Sequence, residues 1–199
     1  MERKESFVYK RPFSVSAKTE RMEFLAVGAV LFILGVITPL LLTLNTSAWV
    51  AAKNQFLIGP LVNCALVIAG VNFRGFKRIW TIIFLPSIFT LLTGIVFSLG
   101  SIYVLYMVPA IWLGNASMVL MFKYLHVHKK VNYTLTAALA VTLKVTLIFT
   151  GFLIMKSFAD MPLAMEMALT AAMSVNQIIN ASIGCVMAFG ILKLTKKFK

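Results

Sequence analysis

Acidic side chains are scarce in this sequence. Only 6 of the 199 residues are Asp or Glu, against 19 Lys and Arg, and charged residues make up 13% of the chain, about half of their share in an ordinary soluble domain. Four of the acids lie within residues 1–23, which leaves only Asp160 and Glu166 in the rest of the chain. Proton- and sodium-coupled carriers usually place carboxylates inside their spans, so this scarcity argues against that class of transporter.

Motifs that carry enzyme chemistry are scarce as well. The two cysteines, Cys64 and Cys185, lie in apolar runs without CxxC spacing, so neither a disulfide framework nor a zinc site is indicated. No GxxxxGK[ST] run is present to hold the phosphates of ATP. Both histidines, His126 and His128, lie among lysines rather than in an apolar run where a serine could be activated. The sequence predicts no enzyme, no cofactor and no metal site.

Apolar residues, by contrast, make up 60% of the chain, against about 45 to 50% in soluble domains. They fall into six runs, most of which reach across about 30 Å of hydrocarbon at a rise of about 1.5 Å per residue. We therefore predict an all-α integral membrane protein, a bundle of six transmembrane helices. A basic arm, 1–23, precedes this transmembrane domain, 24–192, and a basic tail, 193–199, follows it. The predicted spans are 24–44, 56–72, 79–98, 102–122, 134–155 and 165–192.

Lys and Arg are distributed unevenly about these spans. Sixteen of the 19 lie in the N-terminal arm, in the breaks after the second and fourth spans, and in the C-terminal tail, whereas only Lys53 and Lys156 lie in breaks on the other side. Cytoplasmic segments retain such cations, so we expect both termini to be cytoplasmic. Contact with the anionic lipid bilayer explains the net charge of +13, and no nucleic-acid partner is needed.

Amides and one amine occur inside the predicted spans, where an unpartnered polar group costs several kcal/mol. Helical phase places them on faces that also carry small residues, such as Gly59 beside Asn63 and Gly184 beside Gln177. Small residues let helices approach closely, so we expect these faces to meet inside the bundle. The polar residues fall at similar depths in four spans: Asn63, Asn115, Lys144, Gln177 and Asn180.

These polar residues have two explanations. Amides can act simply as hydrogen bonds between helices, and this structural explanation stays open. Lys144 is harder to explain in that way, because no acidic residue lies at its depth. Trp112 lies one turn before Asn115, so an aromatic ring and an amide share a face, which suits a ring-bearing ligand. We therefore predict that Trp112 and the five polar residues bind a small-molecule substrate that carries a carboxylate, a phosphate or another electron-rich group.

The order of several short motifs supports a resemblance. They are Gly59-Pro60-Leu61-Val62-Asn63 in the second span, Pro109 to Gly114-Asn115 in the fourth, Lys144 in the fifth, and Met173-Ser174 to Gln177 in the sixth. In this layout the chain resembles the substrate-binding (S) components of energy-coupling factor (ECF) importers, and is closest to an uncharacterised branch of that family.

The resemblance implies a function. S components are six-helix subunits of the prokaryotic cell membrane that capture a scarce, vitamin-like micronutrient from outside. They dock on a separate membrane coupling subunit, which two cytoplasmic ATPases drive, so the chain itself needs no nucleotide-binding loop. Two alternatives remain: a stand-alone small-solute carrier, and a non-transporting assembly or structural protein whose polar residues only hold its helices together.

Overall fold

The computed structural model describes residues 16–38, 48–93 and 101–195, and the regular structure in these ranges is helical. Two π-helical segments, Ile33–Ile37 and Phe122–His128, continue the first and fourth helices. The α-helices are α1 (Ala17–Phe32), α2 (Ala48–Asn72), α3 (Phe76–Thr93), α4 (Ser101–Met121), α5 (Tyr133–Lys156), α6 (Leu163–Met173) and α7 (Val175–Leu194).

Three stretches of the described chain are helical, long and apolar enough to cross a membrane: Leu105–His128, Tyr133–Lys156 and Leu163–Leu194. A shorter apolar helical stretch covers Ile58–Asn72. For the described residues, the prediction of an all-helical protein with helices able to span a membrane is confirmed at this level. The ends of the predicted first and third spans, 39–44 and 94–98, lie outside the described residues.

Side-chain caps fix where two of the helices begin. The hydroxyl of Ser16 accepts a hydrogen bond from the Thr19 N–H at 3.1 Å, and the side-chain oxygen of Asn132 accepts one from the Leu135 N–H at 2.7 Å. Each satisfies a backbone donor that the first turn of a helix leaves without a partner. Because of the first cap, α1 begins at Ala17, within the segment that the sequence assigned to the N-terminal arm.

The predicted sixth span is two helices rather than one. Ser174 has φ −114° and ψ −94°, which separates α6 from α7. Its hydroxyl donates to the carbonyl of Thr170 at 2.5 Å, a local bond that competes with the continuing helix ladder. The small-residue face that carries Gln177 and Gly184 therefore lies in α7, after this break.

Glycines set the most extensive helix contact, which joins α2 to α7. A Cβ atom built on Gly184 of α7 would lie 2.5 Å from the Cβ of Asn63 and 2.7 Å from the carbonyl oxygen of Pro60, both on α2. Reciprocally, a Cβ on Gly59 of α2 would overlap the amide of Asn180 on α7. On each helix a glycine thus faces an asparagine of the other helix, as the small-residue faces predicted.

The pair of α4 and α5 uses the same device. A Cβ on Gly114 of α4 would lie 2.6 Å from the Ile148 side chain and 3.1 Å from the carbonyl oxygen of Lys144 on α5. A Cβ on Gly151 of α5 would overlap Ala110 of α4. Since α2 also contacts α4, and α5 also contacts α7, the middle of the bundle lies where these four helices meet.

Basic residues gather at one end of the bundle, which we call the basic end. There Glu20 of α1 is an ion-pair partner of Arg78 at 3.0 Å and accepts a hydrogen bond from the Arg74 N–H at 2.8 Å. These contacts tie the start of α1 to the α2–α3 turn. At the opposite end Lys156 pairs with Glu166 at 2.5 Å. The cations that define the basic end are Lys18, Arg21, Arg74, Lys77, Arg78, Lys123, Lys129, Lys130 and Lys193.

Lys123 differs from the other cations of the basic end. From the sequence, Lys123 lies in the break after the fourth predicted span. In the structure it belongs to the π-helical segment that follows α4, and it is buried. Its Nζ donates to the carbonyl of Phe73, and to that of Gly70 at 3.5 Å. A cation at these carbonyls complements the negative end of the helix dipole of α2, so Lys123 holds α2 and α4 together.

We expect Lys123→Met to lower the melting temperature of the purified protein. The variant leaves buried carbonyls at the end of α2 without their donor, and a buried acceptor without a partner costs about 1 to 3 kcal/mol. Lys77→Met, which removes an exposed cation of the same end, is the matched control and should melt as wild type does. Equal melting of the two variants in thermal unfolding would contradict the capping role.

Candidate functional site

Lys144 is the central residue of the candidate site. It lies midway along α5, and only 2% of its surface is exposed. Thr136, Ala140, Ile148, Phe152 and Met155 are buried on the same helix at spacings of three and four residues. The helical period thus turns the lysine inward together with the apolar face of α5, away from lipid.

Asn63 of α2 supplies the first partner of Lys144. The lysine Nζ donates to the Asn63 Oδ1 at 2.5 Å. The Nδ2 of the same amide donates to the carbonyl of Gly59 at 2.8 Å, one turn earlier on α2. This second bond fixes the orientation of the amide, so that its oxygen faces the amine.

Asn115 of α4 supplies the second partner. Its Oδ1 accepts from the Lys144 Nζ at 2.9 Å, and its Nδ2 lies 3.4 Å from the carbonyl oxygen of Ile83 on α3. Asn63 and Asn115 are each 3% exposed. The three predicted residues therefore form one buried hydrogen-bonded cluster, the Lys144 cluster, that joins α2, α4 and α5.

The charge of the cluster is not balanced by the groups that surround it. Lys144 has three N–H donors, and its two partners are neutral amides. Within the described residues no carboxylate forms an ion pair with it, and Glu20 and Glu166 pair with Arg78 and Lys156 instead. A buried ammonium that has dipoles but no counter-ion remains electrostatically attractive to an anion.

Asn180 lies next to the cluster on α7. It is buried, and its amide packs on Gly59, whose carbonyl holds the Asn63 side chain. Asn180 is therefore one contact away from Asn63, and α7 becomes the fourth helix to bring a polar side chain to the centre of the bundle.

Trp112 lies one turn before Asn115 on α4 and packs toward α3. Its ring packs on Phe84 with centroids 4.4 Å apart, and Phe84 in turn stacks on Trp80 at 5.3 Å. The indole N–H is buried and finds no acceptor among the residues that the structure describes. An indole nitrogen can only donate, so this position favours a group that presents an oxygen or another acceptor.

Gln177, like Trp112, has no described contact with the Lys144 cluster. It lies in the first turn of α7 and is half-buried. The side-chain hydrogen bonds described for the Lys144 cluster involve Asn63 and Asn115 and do not include Gln177. Its place on α7 is one turn nearer the Ser174 break than Asn180.

Sequence reasoning missed one polar contact beside this site. Tyr133 at the start of α5 is half-buried, and its hydroxyl donates to the carbonyl of Cys185 at 2.6 Å. Its ring also packs on Phe122 and Phe189. No local signal distinguishes a lipid-facing tyrosine at the start of a helix from one that bonds a neighbouring helix.

Three comparisons with known proteins find no match for this chain. No family model matches the chain, and neither a curated protein nor a solved structure matches it.

Proposed function

We propose that this protein is the membrane-embedded substrate-capture subunit of an ECF-type importer, and that the Lys144 cluster binds an anionic, vitamin-like small molecule. Separate ATPase subunits would supply the energy through a membrane coupling subunit. The cluster supports solute capture because its elements, one amine and several amides, come from different helices and converge at one place.

One observation carries this proposal: the amine of a fully buried lysine is held by two neutral amide oxygens. A charged residue at the centre of a membrane helix costs about 2.5 to 3.5 kcal/mol on insertion scales. A bond between helices needs no charge, since two amides would serve. An amine that neutral acceptors orient, but do not neutralise, is the arrangement that recognises a carboxylate or a phosphate.

The buried N–H of Trp112 supports the same chemistry. It adds a donor one turn from Asn115 on α4, and the neighbouring ring of Phe84 adds an aromatic wall. A substrate with an acidic group and a flat apolar part would satisfy both. We propose that its acidic group meets Lys144 while its ring lies against Trp112.

The proposal includes a topology of six spans with both termini in the cytoplasm. The basic end would then face the cytoplasm, as the cation distribution favours. We expect a cysteine at position 53 or 156, in a variant that lacks the two native cysteines, to react with a membrane-impermeant maleimide in intact cells. A cysteine at position 77 should react only after permeabilisation, and the reverse pattern would contradict the topology.

A transport measurement distinguishes a substrate-capture subunit from a stand-alone carrier. We expect the protein, reconstituted alone in vesicles, to retain a small anionic molecule from the cells that produced it but not to concentrate that molecule. Native mass spectrometry of gently purified protein identifies the molecule, and uptake into vesicles measures its accumulation. Uphill uptake under a proton or sodium gradient would refute dependence on an ATPase and favour the carrier.

A structural role is the second candidate, and the same cluster favours it. The two acceptors of Lys144 lie on α2 and α4, so the lysine also links three helices without any ligand. If this were its whole role, purified protein would carry no small molecule, and loss of the amine would lower stability. The amount of retained small molecule and the stability of the protein, measured on the same variants, therefore distinguish the two functions.

A further inference from the structure

A groove between α5 and α7 opens near the basic end of the bundle. Its volume is about 470 Å³, within the range of about 300 to 1,000 Å³ that binding sites occupy. Its walls are mainly apolar or carry a single hydroxyl. They are Tyr133, Thr134, Ala137, Ala138, Val141, Thr142, Ser182, Cys185, Val186 and Phe189.

The length of the groove is informative about its occupant. From Thr134 to Thr142 it follows eight residue steps of α5, or about 12 Å at a rise of about 1.5 Å per residue. One leaflet contributes about half of a hydrocarbon core of about 30 Å. The groove thus matches the depth of one leaflet, whereas a packed transmembrane helix would follow the whole span.

Two exposed lysines lie where the groove reaches the basic end. Lys193 is four residues after Phe189 on α7, so it continues the stripe that lines the groove. Lys130 is three residues before Tyr133, at the turn that leads into α5. Both are exposed, and neither forms an ion pair with a carboxylate of the described chain.

We propose that this groove binds an anionic phospholipid, with an acyl chain along α5 and α7 and its phosphate between Lys130 and Lys193. Clusters of basic residues at the cytoplasmic side of membrane helices attract anionic headgroups, at about 1 kcal/mol per cation. The apolar walls explain the acyl chain, and the two lysines explain the preference for negative charge. The groove shares no residue with the Lys144 cluster and does not depend on the function proposed for that cluster.

The test is lipid retention. The protein is reconstituted in vesicles of equal parts phosphatidylglycerol and phosphatidylcholine with the same acyl chains, re-extracted, and examined by native mass spectrometry. We expect the wild type to retain phosphatidylglycerol at least fivefold above phosphatidylcholine. The double variant Lys130→Gln/Lys193→Gln should fall to within twofold of equal retention. The matched control Lys18→Gln/Lys77→Gln, which removes two exposed cations of the same end, should keep the wild-type preference.

A second variant tests the acyl-chain part. Ala138 is an exposed residue of the groove, so Ala138→Trp fills the groove without disturbing the core, and it should reduce retention of both lipids at least threefold. A melting temperature within a few degrees of wild type shows that each variant is folded. Equal retention of the two lipids by wild type, or an unchanged preference in the Lys130→Gln/Lys193→Gln variant, would overturn the proposal. A photo-crosslinker at position 138 that captures a protein instead of lipid would overturn it too.

Discussion

Lys144→Met should remove at least nine-tenths of the small molecule that the purified protein retains, a loss of about 1.4 kcal/mol or more, while its melting temperature stays equal to wild type or rises. The variant loses two hydrogen bonds between helices, which average about 0.6 kcal/mol each in membrane proteins. It also removes a charge whose insertion costs about 2.5 to 3.5 kcal/mol. The free energy gained by removing the buried charge therefore offsets the loss of the two hydrogen bonds. We expect only ligand binding to weaken.

Asn115→Asp tests the same charge without removing the amine. The carboxylate keeps an oxygen 2.9 Å from the Lys144 Nζ but adds the negative charge that the cluster lacks. We expect this variant to melt at a higher temperature than wild type and to retain at least tenfold less of the anionic molecule, because the lysine is already neutralised. Asn132→Asp is the matched control, since it makes the same change at the cap of α5, where an acid suits the helix dipole.

Two results would show that Lys144 only links helices. One is a fall in the melting temperature of Lys144→Met by several degrees with no small molecule retained by wild type. The other is wild-type retention in Asn115→Asp, which would mean that the lysine charge takes no part in binding. Native mass spectrometry and thermal unfolding on the same preparations measure both quantities.

Gly184→Ala should destabilise the bundle, and more so than Gly190→Ala on the same helix. The new Cβ would lie 2.7 Å from the carbonyl oxygen of Pro60 and 2.9 Å from the backbone nitrogen of Cys64. These atoms belong to the α2 backbone and cannot turn aside as a side chain can. Overpacking typically costs about 1 to 3 kcal/mol, and we expect the upper part of this range, with a clear fall in the melting temperature.

The same substitution should also weaken ligand retention. A Cβ at position 184 would lie 2.5 Å from the Cβ of Asn63, so α2 and α7 must separate and carry the Asn63 amide away from Lys144. Gly190→Ala on the same helix is the control, because a Cβ there would have no atom within 4 Å. It should be neutral or stabilising by up to about 1 kcal/mol. If both alanine variants melt alike, close contact between α2 and α7 is not what holds the cluster.

The sequence by itself determined that four of the polar residues in the apolar runs face the inside of the bundle: Asn63, Asn115, Lys144 and Asn180. Helical phase and depth depend only on a period of about 3.6 residues and a rise of about 1.5 Å, so the apolar runs revealed helical segments. They also placed Asn63, Asn115 and Lys144 at similar levels on faces with small residues. The glycines that receive the neighbouring helices, Gly59 and Gly184, followed from the same periodicity.

Only the tertiary structure decided which of these groups meet. Asn63 and Asn115 are 81 and 29 residues from Lys144 along the chain, and no local rule indicates that both amide oxygens turn to the same amine. From the sequence, Lys123 is one more cation of a loop. The packing of α2 against the end of α4 brings its amine within hydrogen-bonding distance of the Phe73 carbonyl. Periodicity assigns each side chain a face, but the partner across that face depends on how whole helices pack.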